Sequence, residues 1–586
     1  MTILLYSSIL KKKFSKYKSI TLFDFNRKNL NSDNFYNNDF LFNNVRNKKN
    51  FDKEFVKLKK IIFKNLIKKL NSYHKSIKFN ELSWKVLLEP WLSNYISKNI
   101  YYWHLINYYK KRVKKYPFFL QIEYLDPPID TAHATQLSDK SEEYNFYLLQ
   151  NMCKFIFGKK KILLNKNSFI KKDFKIDLDN FYPNTNNFFS RLYNLLFFKF
   201  FQNNKIVFDI NNIGIKKLLI NFKFFQIPIF SNIFFKKPNY NKLYSDFRKI
   251  KSKRQNSNKI YKKKSLEEYL LDSSLKDLPS CFLENFEKIF QRVKTIKLHP
   301  KVITSDGRHE FNLYFKFWIA LKISEGNKFV SCDHGSCYIS NLDDMTHEDC
   351  SHYSLRWFKY KSKNSVQLPV LHNLRKRNSN EKLRENLIII STDLEKFPRH
   401  VLWSPIHNEN LYQIKIVHDI SNGIKKIIQN KTFVKLHPRV SNSKSTLNTQ
   451  IPKYFLNNKK NIQILKSQKE FKKVFYNSKL NVSLSPHTAF IESFLSGPTV
   501  LVINKNFYKI REEFQNLHEE LFKANILFYD GKKAINHINM IWDNPEVWWN
   551  KNKVFKLRKK FENLVCKTKN TEETINEWSI FFKRLI

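Results

Sequence analysis

Residues 304–340 read TSDGRHEFNLYFKFWIALKISEGNKFVSCDHGSCYIS, and further downstream the run KLHPRV occupies residues 435–440. Thr304 and Ser305 ahead of Asp306 supply N-capping side chains for a helix start. Phe311, Tyr314, Phe315, Trp318 and Leu321 recur at steps of three and four, so they share one apolar helix face. Gly326 ends that helix, because a left-handed C-terminal residue is least costly as glycine, and the chain holds only 8 glycines. Lys328 to Cys332 then reads as a short buried strand, with Asp333-His334-Gly335-Ser336 at its C-terminal end. In open α/β sheets that edge is where ligands bind. A histidine-glycine pair is most simply a turn, but the order of capped helix, glycine, strand and His-Gly loop is half of a βαβ unit with a polar residue at its mouth.

A second unit of the same kind follows a polar, charged stretch at 374–386, read as a hinge. The run LIII between Asn386 and Thr392 has the form of a fully buried parallel strand. Thr432 to Leu436 is a strand ending in His437-Pro438-Arg439. Asn481 to Leu484 is another, ending in Ser485-Pro486-His487-Thr488. Ser485 suits an N-cap and Pro486 the first helical position, so Thr488 and its neighbouring amides line a helix N-terminus. Such an end carries partial positive charge and N–H groups, which suit a phosphate. Glu492 lies one turn further in, Gly497-Pro498 closes the helix, and Thr499 to Ile503 is the next buried strand. KLHP occurs at both 297 and 435.

A chain of 586 residues exceeds what one core supports. The division expected is an acceptor-side domain at 1–373, the hinge at 374–386 and a donor-binding domain at 387–586 with terminal helices. Within the first, residues 151–285 are rich in Lys, Asn and Phe and weakly patterned, and read as a helical, basic insertion. The stretch 236–264 has almost no apolar periodicity and reads as an exposed basic loop. Ser265-Leu266-Glu267-Glu268 restarts a helix with a capping box. Earlier, Ile3–Tyr6, Ile20–Phe25 and Pro117–Tyr124 suit strands, and Phe51, Phe55, Leu58, Ile62 and Leu66 form one stripe of a long helix. Pro90 is expected to break or kink any helix that reaches it.

The net charge of +54 favours polyanions: nucleic acid, anionic membrane surfaces and nucleotide-linked substrates. Its lysines are spread along the chain and gathered in no arm, so no specific nucleic acid is expected as partner. MTILLYSSILKKKF puts the apolar run before the lysines, the reverse of a signal peptide's order. Apolar runs are broken well before the roughly 20 residues of a membrane span. The expected location is the cytoplasm, with peripheral contact at the inner face of the membrane. Six cysteines suggest no disulfide framework. Cys332, His334, Cys337, His347, Cys350 and His352 form the densest Cys/His group, but without a paired Cys-x2-Cys they read as small core residues, not a metal site. No Walker-type loop and no GxGxxG fingerprint occurs.

These pieces resemble a family of bacterial transferases associated with surface-polysaccharide genes, GT-B-like and related to CDP-glycerol glycerophosphotransferases. The resemblance is carried by Leu70-Asn71 and His74 with WKVLLEPWL, by residues 304–335, by HTAFIESFLSGPTVLVIN, and by Ile541-Trp542 with Asn544-Pro545-Glu546-Val547-Trp548-Trp549. It implies an α/β fold of two Rossmann-like domains facing a cleft, with the donor nucleotide held mainly by the C-terminal one. His334, with Gly335 beside it, matches the family's His-Gly loop and would be the general base or an acceptor-side contact. His437, Thr488 and Glu492 match positions that contact donor phosphate and ribose in related GT-B enzymes. Arg439 and Ser485 are added on physical grounds, as a phosphate fork and a helix cap. Gly497 is a structural loop position. Departures occur where a glutamine and a second glycine are expected around the His-Gly pair, and the chain has Asp333 and Ser336. After Glu348, where an aspartate and a Trp-Gly-Trp run are expected, it has His352 and Leu355-Arg356-Trp357-Phe358.

The activity implied is metal-independent and cofactor-free transfer of a sugar or polyol-phosphate group from a nucleotide-activated donor to a glycan or lipid-linked acceptor. A basic nucleic-acid-binding protein and a catalytically inactive scaffold are the alternatives. The first predicts aromatic residues interleaved with basic ones on exposed strands, and the second is allowed by the altered loop.

Overall fold

Five four-residue strands, Ile206–Asp209, Val302–Ser305, Leu387–Ile390, Leu480–Ser483 and Thr499–Val502, are buried at every residue, as strands covered on both faces must be. The computed structural model describes residues 2–7, 18–23, 45–77, 79–110, 118–120, 126–158, 163–165, 192, 196–197, 200–210, 213–229, 235–249, 254, 264–335, 338–339, 347–372, 374, 385–391, 407–435, 462–465, 471, 474–475, 478–505, 508 and 510–586. Two short parallel pairs lie near the start: β1 (Thr2–Ser7) with β2 (Lys18–Phe23), and β3 (Phe118–Leu120) with β4 (Leu163–Asn165).

Two larger sheets carry the fold, and both are wholly parallel. The first runs in sequence order through β5 (Ile206–Asp209), β6 (Val302–Ser305), β7 (Lys328–Cys332), β8 (Tyr353–Arg356) and β9 (Ser365–Gln367). The second comprises β10 (Leu387–Ile390), β11 (Thr432–Lys435), β12 (Gln463–Leu465), β13 (Leu480–Ser483), β14 (Thr499–Val502) and β15 (Leu527–Phe528), in the spatial order β12-β11-β10-β13-β14-β15. Counted from β10, that is the 3-2-1-4-5-6 order of a doubly wound nucleotide-binding sheet, with its switch point between β10 and β13. The protein is thus an α/β chain of two Rossmann-like domains.

Helix α3 (Leu313–Ser324) packs on one face of the first sheet, and α2 (Glu81–Lys110) and α1 (Val45–Tyr73) are layered outside it, in one core that includes Phe55, Leu66, Trp84 and Trp318. The predicted stripe of α1 is buried at all five positions. α3 differs from expectation in two ways. Thr304 and Ser305 belong to β6, where ladder pairing takes their backbone groups, and the cap of α3 is Asn312, whose side chain accepts from the Phe315 N–H at 3.0 Å. Moreover, α3 is buried from Leu313 to Ile323, not along one face, because α2 covers the side turned away from the sheet. Gly326 does end the turn after α3 with a φ of 93°.

α2 runs unbroken through Pro90. The proline costs about 3 kcal/mol in a helix interior. Burial of Leu87, Leu88, Trp91, Leu92 and Ile96 around it outweighs that, at roughly 1.5–3 kcal/mol for each large apolar side chain. Residues 151–285 hold β5, four buried residues paired in register with β6. Within the stretch read as an exposed loop, Tyr240–Lys249 is helical, and Arg254 is a buried anchor for Glu284 at 2.6 Å. The expected hinge lies outside the described residues except for positions 374, 385 and 386.

The last helix, α4 (Thr571–Lys583), returns to the first sheet. Its Trp578 and Phe582 pack with Phe208 and Val330, and the Trp578 indole donates to the Pro369 carbonyl at 2.8 Å. The halves also share an apolar seam: Tyr338 meets Phe514 and Phe561 edge-on, and the Arg511 guanidinium lies 4.7 Å from the Phe358 ring. Among the described residues no helix is long and apolar enough to cross a membrane.

Candidate active site

Parallel register decides what meets at the C-terminal edge of the first sheet. Asp209 pairs with Ser305, and Ser305 with Ser331, so the residues that follow β6 and β7 emerge side by side. Asp306 follows β6 with its side chain fully buried, and its Oδ2 stands 3.5 Å from Nδ1 of His334, whose side chain is 68% exposed. A buried carboxylate therefore stands beside one nitrogen of a solvent-exposed imidazole, an arrangement suited to a general base. The ring of His372 stands perpendicular to that of His334 with centroids 6.1 Å apart. Burial lowers the His372 pKa, Asp306 opposes the shift, and His334 reinforces it.

Behind this pair, Asp333 accepts from the buried Arg356 guanidinium at 2.7 Å and from the Trp357 N–H at 3.1 Å. Two of the departures from the family's pattern therefore meet in space. An aspartate in the His-Gly loop faces an arginine in the strand beside it, and each neutralises the charge the other brings into the interior. Arg308 makes a similar contact with Asp209 at 3.2 Å, next along the same edge.

The facing surface comes from the second sheet at its switch point. α5 (Thr488–Ser496) follows β13, and its N-cap is His487, which makes no side-chain capping bond. Ser485 is not the cap: the helix starts two residues later than expected, and the Ser485 hydroxyl is buried without a hydrogen-bond partner among the described residues, while its carbonyl accepts from Ser483 Oγ at 2.9 Å. Thr488 opens the helix and Glu492, four residues on, shares its face; both are half-buried. Gly497 ends the helix in extended backbone, with its carbonyl taken by Thr499 Oγ1. His437 and Arg439 lie outside the described residues.

The two surfaces touch. A β-carbon placed on Gly335 would collide with the Thr488 hydroxyl, so the His-Gly loop lies directly against the N-terminus of α5. His334, Gly335, Thr488 and Glu492 thus belong to one locality, with Ser485 buried beneath it. The sequence alone does not single out Asp306 or His372. An aspartate immediately after a buried strand was the available signal for the first, whereas His372 arrives through packing after β9. Cys332 and Cys350 are buried free cysteines, the former in contact with Thr304 Oγ1 at 3.0 Å, and His352 accepts from the Phe329 N–H. Cys337 lies outside the described residues.

The chain matches the model of the LIC12162 family transferases over residues 4–582 and belongs to that family. It is accordingly a transferase. No curated protein matches it. Among solved structures it is similar to MnaA of S. aureus in a co-structure with UDP, at 9% identity over 52% of this chain and 79% of that one, TM-score 0.30. It is also similar to HepE (Alr3699) of Anabaena in complex with UDP and glucose, at 8% identity over 52% and 83%, TM-score 0.33. A third is WaaG, a glycosyltransferase involved in lipopolysaccharide biosynthesis, at 8% identity over 51% and 94%, TM-score 0.28.

Proposed function

We propose that this member of the LIC12162 family transferases moves a sugar or polyol-phosphate group from a nucleotide-activated donor to a surface-glycan or lipid-linked acceptor, without a catalytic metal. The observation that carries the reading is the contact of the His-Gly loop with the N-terminus of α5. On this reading the edge that carries the base faces the one that receives the donor's phosphates.

In this reading the acceptor hydroxyl lies on the side of the first sheet and loses its proton to His334, which Asp306 orients. The donor lies at the switch point of the second sheet. Its phosphates face the start of α5, where helix N–H groups and the Thr488 hydroxyl stabilise the charge that builds on the leaving nucleotide. Glu492 contacts the ribose, and His437 and Arg439, following β11, contact phosphate. Gly497 keeps α5 and β14 in their tight succession. The basic surface favours an anionic membrane face, where a lipid-linked acceptor would be met.

The test is turnover. Nucleotide release is followed with CDP-, UDP- and GDP-linked donors in the presence of lipid-linked and free glycan acceptors. Release that depends on acceptor and falls by roughly 10²-fold or more in His334→Ala supports the assignment. Release unaffected by that change removes His334 from the reaction.

A further inference from the structure

A second group of ligating side chains lies outside the cleft contact, between the short helix that follows β6 and the helical turn that precedes β8. His309 and Glu310 belong to the helix Arg308–Phe311, and His347 opens the turn at 347–349. Each offers one ligand atom, and the three atoms lie within 4.8 Å of one another. His347 Nε2 is 3.7 Å from Glu310 Oε1, and the two imidazole centroids are 6.1 Å apart. Ligand atoms around a tetrahedral zinc ion, with bonds of about 2.0–2.1 Å, stand about 3.4 Å from one another. Closing this group onto one ion therefore needs small side-chain movements.

A second observation points to a ligand. His309 is buried, and its Nδ1 has no hydrogen-bond partner among the described residues. A buried polar atom of that kind costs stability unless something satisfies it. Burial keeps the imidazoles in the neutral form that binds metals. The His309 pKa lies well below the usual histidine range through burial, with His347 and Lys316 adding to it, and that of His347 falls to about 3 through burial, helped by Arg356.

We propose that His309, Glu310 and His347 bind one zinc ion that staples the base of the His-Gly loop. Two imidazoles and one carboxylate suit zinc, whereas magnesium and calcium favour all-oxygen sets. The ion ties the segment leaving β6 to the segment entering β8, and the chain between them carries Asp333, His334 and Gly335. It takes no part in the transfer reaction. Asp306, His334 and His372 at the cleft mouth form the competing group.

The experiment uses the untagged full chain, stripped with chelator and re-equilibrated with zinc chloride, with bound metal measured by mass spectrometry and affinity by competition with a chromophoric chelator. One zinc per chain is expected in the wild type and in His334→Ala. Affinity should fall at least tenfold in His309→Ala and in Glu310→Gln, and magnesium should not compete. Glu310 is partly exposed, so Glu310→Gln carries the test if His309→Ala does not fold. Zinc should also raise the melting temperature of the stripped wild type, and not that of Glu310→Gln. No stoichiometric zinc in the wild type, or zinc lost in His334→Ala and kept in Glu310→Gln, would overturn the assignment.

Discussion

Gly335 and Thr488 belong to different domains, yet they approach so closely that position 335 has no room for a β-carbon. The requirement for glycine is one of space. Gly335 is not among the glycines with positive φ, unlike Gly326. The contact fixes how near the His-Gly loop comes to the start of α5, and with it the distance between His334 and any phosphate held there.

Gly335→Ala should therefore push the loop and the helix apart. A displacement of about 1 Å at reacting groups costs on the order of 10²-fold in rate. Activity should fall by about that factor while the melting temperature moves by only a few degrees. Adding Thr488→Ala should relieve part of the loss in stability, giving a non-additive coupling of about 0.5–3 kcal/mol. Strict additivity in chemical denaturation would show that the residues do not touch in solution.

Asp306→Asn keeps the shape beside His334 and removes the charge. If Asp306 holds the imidazole for proton abstraction, turnover should fall by roughly 10²–10⁴-fold, with nucleotide affinity unchanged. Equal losses in turnover and affinity would instead mean that Asp306 supports the cleft as a whole.

Acid should unfold this protein readily. Burial lowers the pKa of His133 to about 3 and those of His518 and His537 to about 4, with Lys551 adding to the last. Each lies below the unfolded value near 6.5, so the unfolded chain binds the protons first. The stability these groups contribute is present above pH 6.5 and is lost as pH falls toward 4 and then 3. At pH 5 each costs about 2 kcal/mol, and His518 and His537, which both lie in the second domain, together cost about 4 kcal/mol, a large part of a domain's stability. Denaturant midpoints should drop steeply between pH 6.5 and 5. A flat profile across that interval would contradict the burial of these rings.

Lys59 of α1 reaches α2 and the turn before β8, 3.0 Å from Glu89 and 2.8 Å from Asp349. Removing one partner of a buried ion pair costs about 3–5 kcal/mol, because the other charge remains. Lys59→Met should destabilise by that amount in equilibrium unfolding, and the double change with Glu89→Gln should recover much of it. A double variant as unstable as the single one would assign the loss to packing.

The parts of this fold that were legible in the sequence are those whose signal is local. β7 has the bounds 328–332 that its apolar run suggests, and the LIII run is the central strand β10, beside the switch point of a buried parallel sheet. The His-Gly loop falls at the edge where a parallel sheet exposes its strand ends. Thr304-Ser305-Asp306 suits a helix cap and a strand end equally well, and only β5 and β7 on either side decide between them. Asp333 and Arg356 looked like separate departures from the family's pattern, since a contact across neighbouring strands leaves no mark in either segment. Pro90 misled for the same reason: its surroundings, not its own preference, settle the path of α2.

The proposed donor-nucleotide site lies at the switch point of the second sheet. Thermal unfolding with CMP, CDP, UDP, GDP and a short single-stranded oligonucleotide tests it most directly, repeated for His437→Ala and His334→Ala. Stabilisation by one nucleotide, lost in His437→Ala and kept in His334→Ala, is the expected result, since binding raises the melting temperature only where a site exists. Equal, salt-sensitive shifts with every polyanion, unchanged in His437→Ala, would mean that the net charge of +54 binds them and that the donor site is not there.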